Sequence, residues 1–371
     1  MSMRPMVSLA LGCAVCAWHA AADASFTGLG VGAGVTSWSS GISADGSIVT
    51  GMVHGSGISR QAFRWTAGTG LVVLPQSATY PYSEGAAISA SGAVIVGLIA
   101  PASGGGFAAK WGASGPPQNL GTLPSGTGSV ASGVSGNGQV IVGASDVGQL
   151  GPSHPFRWTS GQGMKDLGLL PNTSSGGALG ASDDGSVIVG ACNNLAGFTS
   201  RAFRWTASGM QDLGVLPGTG DSFAYAVSAD GSVVVGRSSN VGFNRHAFRW
   251  AGGVMSPLDP LDGLPESFAL CLTRDAGIIG GASAADLDEH ACYWDSAGVH
   301  DMQAALGDAV PAGWQLKQVT GISDNGLTFT GVGLHNGVTE AWVATVPGPG
   351  ASVIGLAWAV SLARRRSRDR S

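Results

Sequence analysis

Short apolar runs recur along the chain, and Gly, Ser, Asn or Asp bounds each of them. Two examples are residues 187–189 (Val-Ile-Val) and 233–235 (Val-Val-Val), which are β-branched and favour strands. Tight-turn dipeptides precede these runs at 45–46, 91–92, 137–138, 184–185, 230–231 and 325–326, and a lengthened copy stands at 275–277. Asp, Asn and Gly tolerate the positive φ that such turns need. The pattern therefore predicts β-hairpins along the whole chain.

A second signature follows each turn. The string Ala-Phe-Arg-Trp stands at residues 62–65, 202–205 and 247–250, with weaker copies at 108–111, 155–158 and 291–294 and a degenerate one at 341–344. The spacings between the six tryptophans are 46, 47, 47, 45 and 44 residues. A repeat of this length with four short strands per unit is typical of a β-propeller blade.

The chain ends distinguish a ring from a solenoid of the same period. The last copy stops after its third strand, whereas a fourth-strand-like segment, residues 26–30, opens the mature chain. A ring closes if that segment pairs with the last third strand, and closure removes an unpaired sheet edge. The sequence therefore predicts an all-β, seven-bladed β-propeller of about 46-residue four-stranded repeats, closed by an N-terminal strand.

The alternation along the third strand predicts how the blades pack. Phe203 and Trp205 face one neighbouring blade, and Ala202 and Arg204 face the other. Phe and Trp then fill the space between blades, and Ala permits close approach. We expect the recurring Arg to pair with a carboxylate such as Asp212 or Asp166, or with loop carbonyls.

Composition excludes several classes of protein. Gly accounts for 62 of 371 residues, 44% of the residues are hydrophobic and only 11% are charged. Disorder and helical bundles are disfavoured, since disorder needs low hydrophobicity and Gly weakens helices. The net charge is −5, and it becomes −9 for residues 25–345 alone. This acidic body argues against a nucleic-acid partner.

The N-terminus is typical of a secretory signal peptide. Arg4 precedes an apolar stretch from Met6 to Trp18, and Ala22 and Ala24 form an A-x-A cleavage pattern. We place the cleavage after residue 24, which leaves residues 25–345 as the propeller. A short uncleaved membrane anchor is the alternative interpretation.

The C-terminal residues 346–371 form a second targeting segment. A Pro/Gly linker precedes the 13-residue apolar run 351–363, and a cluster of arginines follows. The residues that carry the signal are Val346, Pro347, Gly348, Pro349, Arg364, Arg365 and Arg366. The run is short for a span, so it predicts transient membrane contact. The arrangement resembles the PEP-CTERM sorting signal, with Gly348 in place of the usual Glu. The resemblance implies processing by an exosortase-type enzyme, and a small permanent anchor is the alternative.

The repeat units resemble the HAF repeat, a family of bacterial extracellular repeats named for His-Ala-Phe. That triplet stands at residues 246–248, and Arg249-Trp250 and residues 210–214 (Met-Gln-Asp-Leu-Gly) also fit the family pattern. The resemblance covers residues 26–345. It implies a secreted or cell-surface protein of a bacterial extracellular matrix, and it implies no chemistry, because the family has no assigned reaction.

The candidate binding residues lie just before the third strands. Three histidines share one repeat position, and three acidic residues crowd the loop of the last one. The candidate ligand-binding residues are His154, His246, His290, Asp286, Asp288 and Glu289. The alternative is that they are polar residues that open strands. No catalytic or metal-binding motif and no cofactor is predicted. Cys192, Cys271 and Cys292 are expected to be buried free thiols, with a Cys271–Cys292 bridge as the alternative.

Loop length indicates where binding occurs. The loops between second and third strands and those between blades are long, whereas the first turns have two or three residues. In an antiparallel blade both long sets emerge on one face, and their Gly, Ser, Asn and Thr content suits neutral glycans. We therefore expect a non-enzymatic, envelope- or exopolysaccharide-associated binding or structural propeller, whose partner is a polysaccharide or a surface protein. The alternatives are an extracellular polysaccharide lyase or hydrolase and a protein-docking platform.

Overall fold

Each predicted Asp-Gly-type turn joins the first two strands of a four-stranded antiparallel sheet, and seven such sheets form a ring. The structure is a computed structural model that describes residues 23–347 except 31, 33, 56, 149–150, 195–198 and 241–243. The predicted all-β, seven-bladed propeller is confirmed.

The chain enters through β1 (Ser25–Gly28) and then builds blades 1 to 4 in order. Blade 1 contains β2 (Val35–Ile42), β3 (Val49–Gly55), β4 (Ile58–Thr66) and β5 (Gly70–Val73). Blade 2 contains β6 (Tyr82–Ile88), β7 (Ile95–Ala100), β8 (Phe107–Trp111) and β9 (Gln118–Asn119). Blade 3 contains β10 (Ser129–Val134), β11 (Ile141–Asp146), β12 (Ser153–Thr159) and β13 (Gly163–Asp166). Blade 4 contains β14 (Ser175–Ala181), β15 (Ile188–Asn194), β16 (Thr199–Thr206) and β17 (Gly209–Asp212).

The remaining elements complete the ring. Blade 5 contains β18 (Asp221–Val227), β19 (Val233–Ser239), β20 (Arg245–Ala251) and β21 (Val254–Pro257). Blade 6 contains β22 (Glu266–Leu272), β23 (Ile279–Ala285), β24 (Asp288–Asp295) and β25 (Gly298–Asp301). A short helix, α1 (Met302–Leu306), and a 3-10 turn (Gly307–Ala309) follow. Blade 7 contains β26 (Trp314–Ile322), β27 (Thr328–His335), β28 (Val338–Thr345) and, from the other end of the chain, β1.

One hydrogen-bonding pattern fixes the first turn of six blades. In blade 5 the hydroxyl of Ser228 donates to Oδ1 of Asp230 at 2.6 Å and accepts from the N–H of Val233 at 3.0 Å. Gly231 follows with a φ of 73°, a left-handed conformation that favours glycine. The side chain replaces backbone partners, so each turn has the same geometry regardless of the blade.

The recurring third-strand residues pack as the alternation predicts. Phe203 and Trp205 lie in an apolar cluster with residues of blade 3, and Ala202 lies in a cluster with Phe248 of blade 5. The guanidinium of Arg204 donates from Nε and Nη2 to the carbonyl of Gly231, both at 3.2 Å. Of the partners expected for this arginine, a loop carbonyl of the next blade is the one observed.

The two ends of the propeller meet in blade 7. β1 pairs with β28 in antiparallel register from Ser25 opposite Thr345 to Gly28 opposite Trp342. The N–H of Leu29 extends this pairing by donating to the carbonyl of Ala341 at 2.7 Å. The predicted closure by an N-terminal strand is therefore confirmed.

Blade 7 has an aromatic core that the repeat did not predict. Phe26 of β1 lies edge-on to Trp314, with ring centroids 4.9 Å apart, and stacks on Trp342 at 6.1 Å. Met302 and Leu306 of α1 are buried in the same cluster. The helix thus replaces an ordinary inter-blade loop and packs against blade 7, whose third strand has Ala344 where the other six blades have the signature tryptophan.

The three described cysteines are free, so the alternative Cys271–Cys292 bridge is absent. Burial raises the pKa of the Cys271 and Cys292 thiols to about 12, which leaves them as unreactive thiols. Among the residues described, no helix has the length and apolar character needed to cross a membrane. The signal segment and, apart from Val346 and Pro347, the sorting residues lie outside the described residues.

Candidate ligand-binding surfaces

The propeller has two different faces. We call the face with the connections between second and third strands and between blades the loop face, and the opposite one the turn face. Inner strands such as β18 run from the loop face to the turn face, and the next strand returns. Both sets of loops therefore lie on one face, as the sequence predicts. The predicted difference in length is wrong for part of the ring, because only two residues separate the second and third strands in blades 6 and 7, whereas five or six separate the first and second strands in every blade.

His154 has a local partner within blade 3. Its Nδ1 lies 2.8 Å from Oδ2 of Asp166, which ends the fourth strand of the same blade. The other carboxylate oxygen of Asp166 accepts the N–H of Gly168 at 2.7 Å. This histidine and its carboxylate are thus partners in a contact between the third and fourth strands.

A charged cluster joins blades 5, 6 and 7 on the loop face. Nε of Arg245 lies 2.8 Å from Oε2 of Glu266, and its Nη1 lies 3.5 Å from Oε1 of Glu289. The guanidinium also lies over the ring of Phe268, 4.8 Å from the centroid. The amide of Gln318 donates to Glu289 at 2.6 Å. The protein itself therefore saturates most of this cluster.

The remaining predicted residues are spread over blades 5 and 6. Nε2 of His290 lies 3.4 Å from Asp288, whose other oxygen accepts from Lys317 at 2.7 Å. The hydrogen bond and charge of Lys317 lower the pKa of Asp288. Asp286 occupies the connecting turn with a φ of 56°, and His246 lies opposite Ser238 in blade 5. Within the described part of the chain, no group of three or more His, Cys, Asp or Glu side chains has metal-binding geometry.

A channel runs along the propeller axis. Every inner strand carries a β-bulge at the same position, and the extra residues border a cavity of about 390 Å³. These residues are Ser40, Ala86, Ser132, Leu179, Tyr225, Leu270 and Thr320. Burial raises the pKa of Tyr225, and the positive charges of Arg237 and Arg245 act in the opposite direction. The channel is therefore lined by neutral side chains.

An ion-pair bridge crosses the channel at the turn face. Nη2 of Arg274 lies 2.7 Å from Asp183 of blade 4, and its Nη1 lies 3.5 Å from Asp324 of blade 7. Backbone hydrogen bonds between neighbouring blades, such as Asp324 N–H to Ala44 O at 2.8 Å, surround the bridge. Burial raises the pKa of Asp324, and the charge of Arg274 opposes this. A ligand in the channel would therefore enter from the loop face.

A separate pocket of about 530 Å³ lies on the loop face between blades 1 and 2. Trp38, Arg60 and Tyr82 border it together with Met52, His54, Ser59 and Ala102. Nη1 of Arg60 lies 2.7 Å from Oε1 of Glu84. We call this cavity the blade 1–2 pocket.

The sequence did not predict this pocket, although it held a signal. Trp38 is one of the few tryptophans outside the third-strand signature, and Tyr82 is one of only four tyrosines. Aromatic residues that the repeat does not need for packing are candidates for binding. Their convergence depends on the distance between neighbouring blades, which the sequence does not display.

Comparisons with known proteins support the scaffold alone. Neither a family model nor a curated protein matches the sequence. An oligogalacturonate lyase from Vibrio parahaemolyticus has a TM-score of 0.56 and 11% identity over 87% of this chain and 93% of that chain.

Prolyl peptidases share the same architecture. A prolyl endopeptidase has a TM-score of 0.56 and 12% identity over 84% of this chain. Prolyl oligopeptidase B from Galerina marginata has a TM-score of 0.50 and 10% identity over 79% of this chain. The chain spans 50% and 46% of the lengths of these peptidases. Because these identities are low, the likeness supports the β-propeller fold of this chain and nothing more specific.

Proposed function

We propose that the protein is an exported, non-enzymatic propeller that binds extracellular polysaccharide through its loop face. The signal-like residues 1–24 support export, and the PEP-CTERM-like segment 346–371 supports attachment to a bacterial envelope or matrix after exosortase-type processing. The HAF-like repeats agree with this location. The protein thus belongs in this proposal to the cell surface or extracellular matrix.

One observation carries the binding role: the two faces use their polar side chains differently. On the turn face, Ser and Asp side chains are engaged in capping turns, as with Ser228 and Asp230. On the loop face, Trp38, His54 and Tyr82 border a pocket, and their side chains have no hydrogen-bond partner among the described residues. Unpartnered aromatic and polar groups in a concave site favour ligand binding.

The test blocks one face at a time. Leu287→Cys places a thiol on the loop face, at a side chain that is 98% exposed, and Ser296→Cys places one on the turn face of the same blade. The native thiols are poor competitors at about pH 7, because burial keeps them protonated. Each variant is coupled to a maleimide polymer that is large enough to cover one face.

We expect the labelled Leu287→Cys protein to lose polysaccharide binding on a glycan array by at least about tenfold. The labelled Ser296→Cys protein should bind within about twofold of the unlabelled chain. Equal loss from both labels would contradict the loop-face assignment. Lack of binding by the unlabelled chain across neutral and acidic polysaccharides would overturn the proposed function.

The charged cluster that joins blades 5, 6 and 7 favours a second candidate, a polysaccharide lyase or hydrolase. Glu266 and Glu289 both contact Arg245 in a partly buried setting, and paired carboxylates are the groups that glycoside hydrolysis requires. Incubation of the protein with a polysaccharide that it binds distinguishes the two functions. An enzyme shortens the polysaccharide with time and loses that activity in Glu289→Gln, whereas a binding protein leaves the chain length unchanged.

A further inference from the structure

The blade 1–2 pocket is bordered by aromatic and polar side chains that have no hydrogen-bond partner among the described residues. We propose that it binds a pyranose unit of a neutral polysaccharide. This inference rests on the proposed function and adds a site and a ligand class to it. The residues that carry it are Trp38, Tyr82, Arg60, Glu84 and His54.

The aromatic side chains supply the apolar part of the site. Trp38 of β2 and Tyr82 of β6 are partly buried, and both border the same cavity. A pyranose ring has a face of C–H groups that an aromatic ring covers well, while its hydroxyls project from the rim. The indole N–H of Trp38 and the hydroxyl of Tyr82 have no protein partner in the described chain, so they remain available to those hydroxyls.

The polar side chains supply both donors and acceptors. Arg60 uses Nη1 for Glu84, and its Nε and Nη2 have no other protein partner among the residues described. Glu84 likewise retains one carboxylate oxygen, and the imidazole of His54 is exposed. Sugar hydroxyls donate and accept at the same time, so an adjacent guanidinium and carboxylate suit them.

Charge favours a neutral sugar over an acidic one. The carboxylate of Glu84 already neutralises Arg60 at 2.7 Å, and a uronic acid would compete with it for the guanidinium. The surrounding body also carries a net charge of −9 over residues 25–345. The Glu84 carboxylate and the net negative charge both repel an anionic polysaccharide, whereas a neutral polysaccharide is not repelled by either.

The equivalent position in blade 5 shows what a filled site looks like. Arg245 stands two residues before the Ala-Phe pair of its blade, as Arg60 does in blade 1. There the guanidinium is covered by Phe268 and contacts both Glu266 and Glu289. In blade 1 the same arginine makes one ion pair beside an open cavity. Since the repeat position is the same, the difference comes from the neighbouring side chains.

The experiment measures binding of defined oligosaccharides to the full exported chain by calorimetry. The neutral probes are gluco- and manno-hexaoses, and the acidic probe is a hexagalacturonate. We expect Trp38→Ala to weaken binding of the best neutral probe by at least about tenfold. Ala102→Trp should have the same effect, because Ala102 is exposed and borders the pocket, so a large side chain there fills the site without disturbing the core.

Phe223→Ala is the matched control, since Phe223 stands at the same inner-strand position in blade 5 and lies away from the pocket. Its affinity should stay within about twofold of the parent. Unchanged affinity in both Trp38→Ala and Ala102→Trp would show that the blade 1–2 pocket is not the binding site, and it would leave the proposed function standing. Preference for the acidic probe would overturn the ligand class. Failure of the parent to bind any polysaccharide, including on the array, would overturn both proposals.

Discussion

Blade 5 and blade 7 have the same four-stranded order but differ in how the order arises. In blade 5, β18 to β21 follow one another directly, and Phe248 and Trp250 of the third strand are buried between blades. In blade 7 the fourth strand is β1, and Trp342 and Ala344 stand where the Phe and the Trp are expected. The regular blade relies on its repeat, and the closing blade relies on contacts between the two chain ends.

This difference makes blade 7 the part of the ring that is most easily opened. A blade built from consecutive strands forms with short loops, whereas pairing of β1 with β28 requires a contact between distant parts of the chain. Without that pairing, β28 presents an unpaired edge, which invites association with other chains. The aromatic contacts of Phe26 with Trp314 and Trp342 stabilise the pairing. Closure thus depends on packing that exists only in the completed ring.

Deletion of residues 25–30 should destabilise the closing blade more than any of the other changes proposed below. It removes the four-residue pairing with β28 and the burial of Phe26 and Leu29, so we expect a loss of about 5 kcal/mol in the free energy of unfolding, together with aggregation. Chemical denaturation and light scattering measure the two effects. A peptide of residues 24–30, added during refolding, should restore solubility. A deletion variant as soluble and heat-resistant as the parent would contradict closure by β1.

The sequence predicted the architecture because the features that define it are local and repeated. The turn at Asp230-Gly231 and the string at 247–250 recur in nearly every blade, and the early position of residues 26–30 indicated closure. The aromatic core of blade 7 has no repeat to indicate it. Its partners, Phe26 and Trp314, lie far apart in sequence and meet only after closure.

The candidate site was harder to predict for the same reason. His154, His246 and His290 share a repeat position, but a shared position places them on different blades, where each meets different neighbours. Their role as ligand-binding residues stays a prediction. The blade 1–2 pocket has the opposite character. Trp38 and Tyr82 share no motif, and they converge because neighbouring inner strands lie side by side.

Phe26→Ala compares the two blades at one equivalent residue. Phe26 precedes the fourth-strand leucine Leu29 by three residues, and Met255 of blade 5 precedes Leu258 in the same way. Both side chains are partly buried against their clusters. We expect Phe26→Ala to lower the free energy of unfolding by about 2–3 kcal/mol and Met255→Ala by about 1 kcal/mol, because only Phe26 contacts two tryptophan rings. Equal losses in denaturant titrations would show that the closing strand has no special aromatic support.

The smallest expected difference in stability between blades 5 and 7 comes from their first turns. Blade 5 caps its turn with Asp230, and blade 7 uses Asn325 in the same geometry, accepting from Ser323 at 2.7 Å. Hydrogen bonds from Ser228 and Ser232 lower the pKa of Asp230 from 3.8 to about 2. A depressed pKa means that the folded protein binds a proton less readily than the unfolded chain does. The contribution of Asp230 to stability is therefore fully present above pH 3.8 and is lost as the pH falls toward about 2.

Asp230→Asn should remove this acid-sensitive contribution, because an amide oxygen accepts the same bonds without titrating. The midpoint of denaturation of the variant should lie slightly below that of the parent at neutral pH, and the difference should shrink as the pH falls through the window between 3.8 and about 2. The reciprocal change, Asn325→Asp, should introduce the same acid sensitivity into blade 7. Tryptophan fluorescence in denaturant titrations at several pH values measures both. A pH-independent difference in either variant would show that the charge of the carboxylate contributes nothing to these turns.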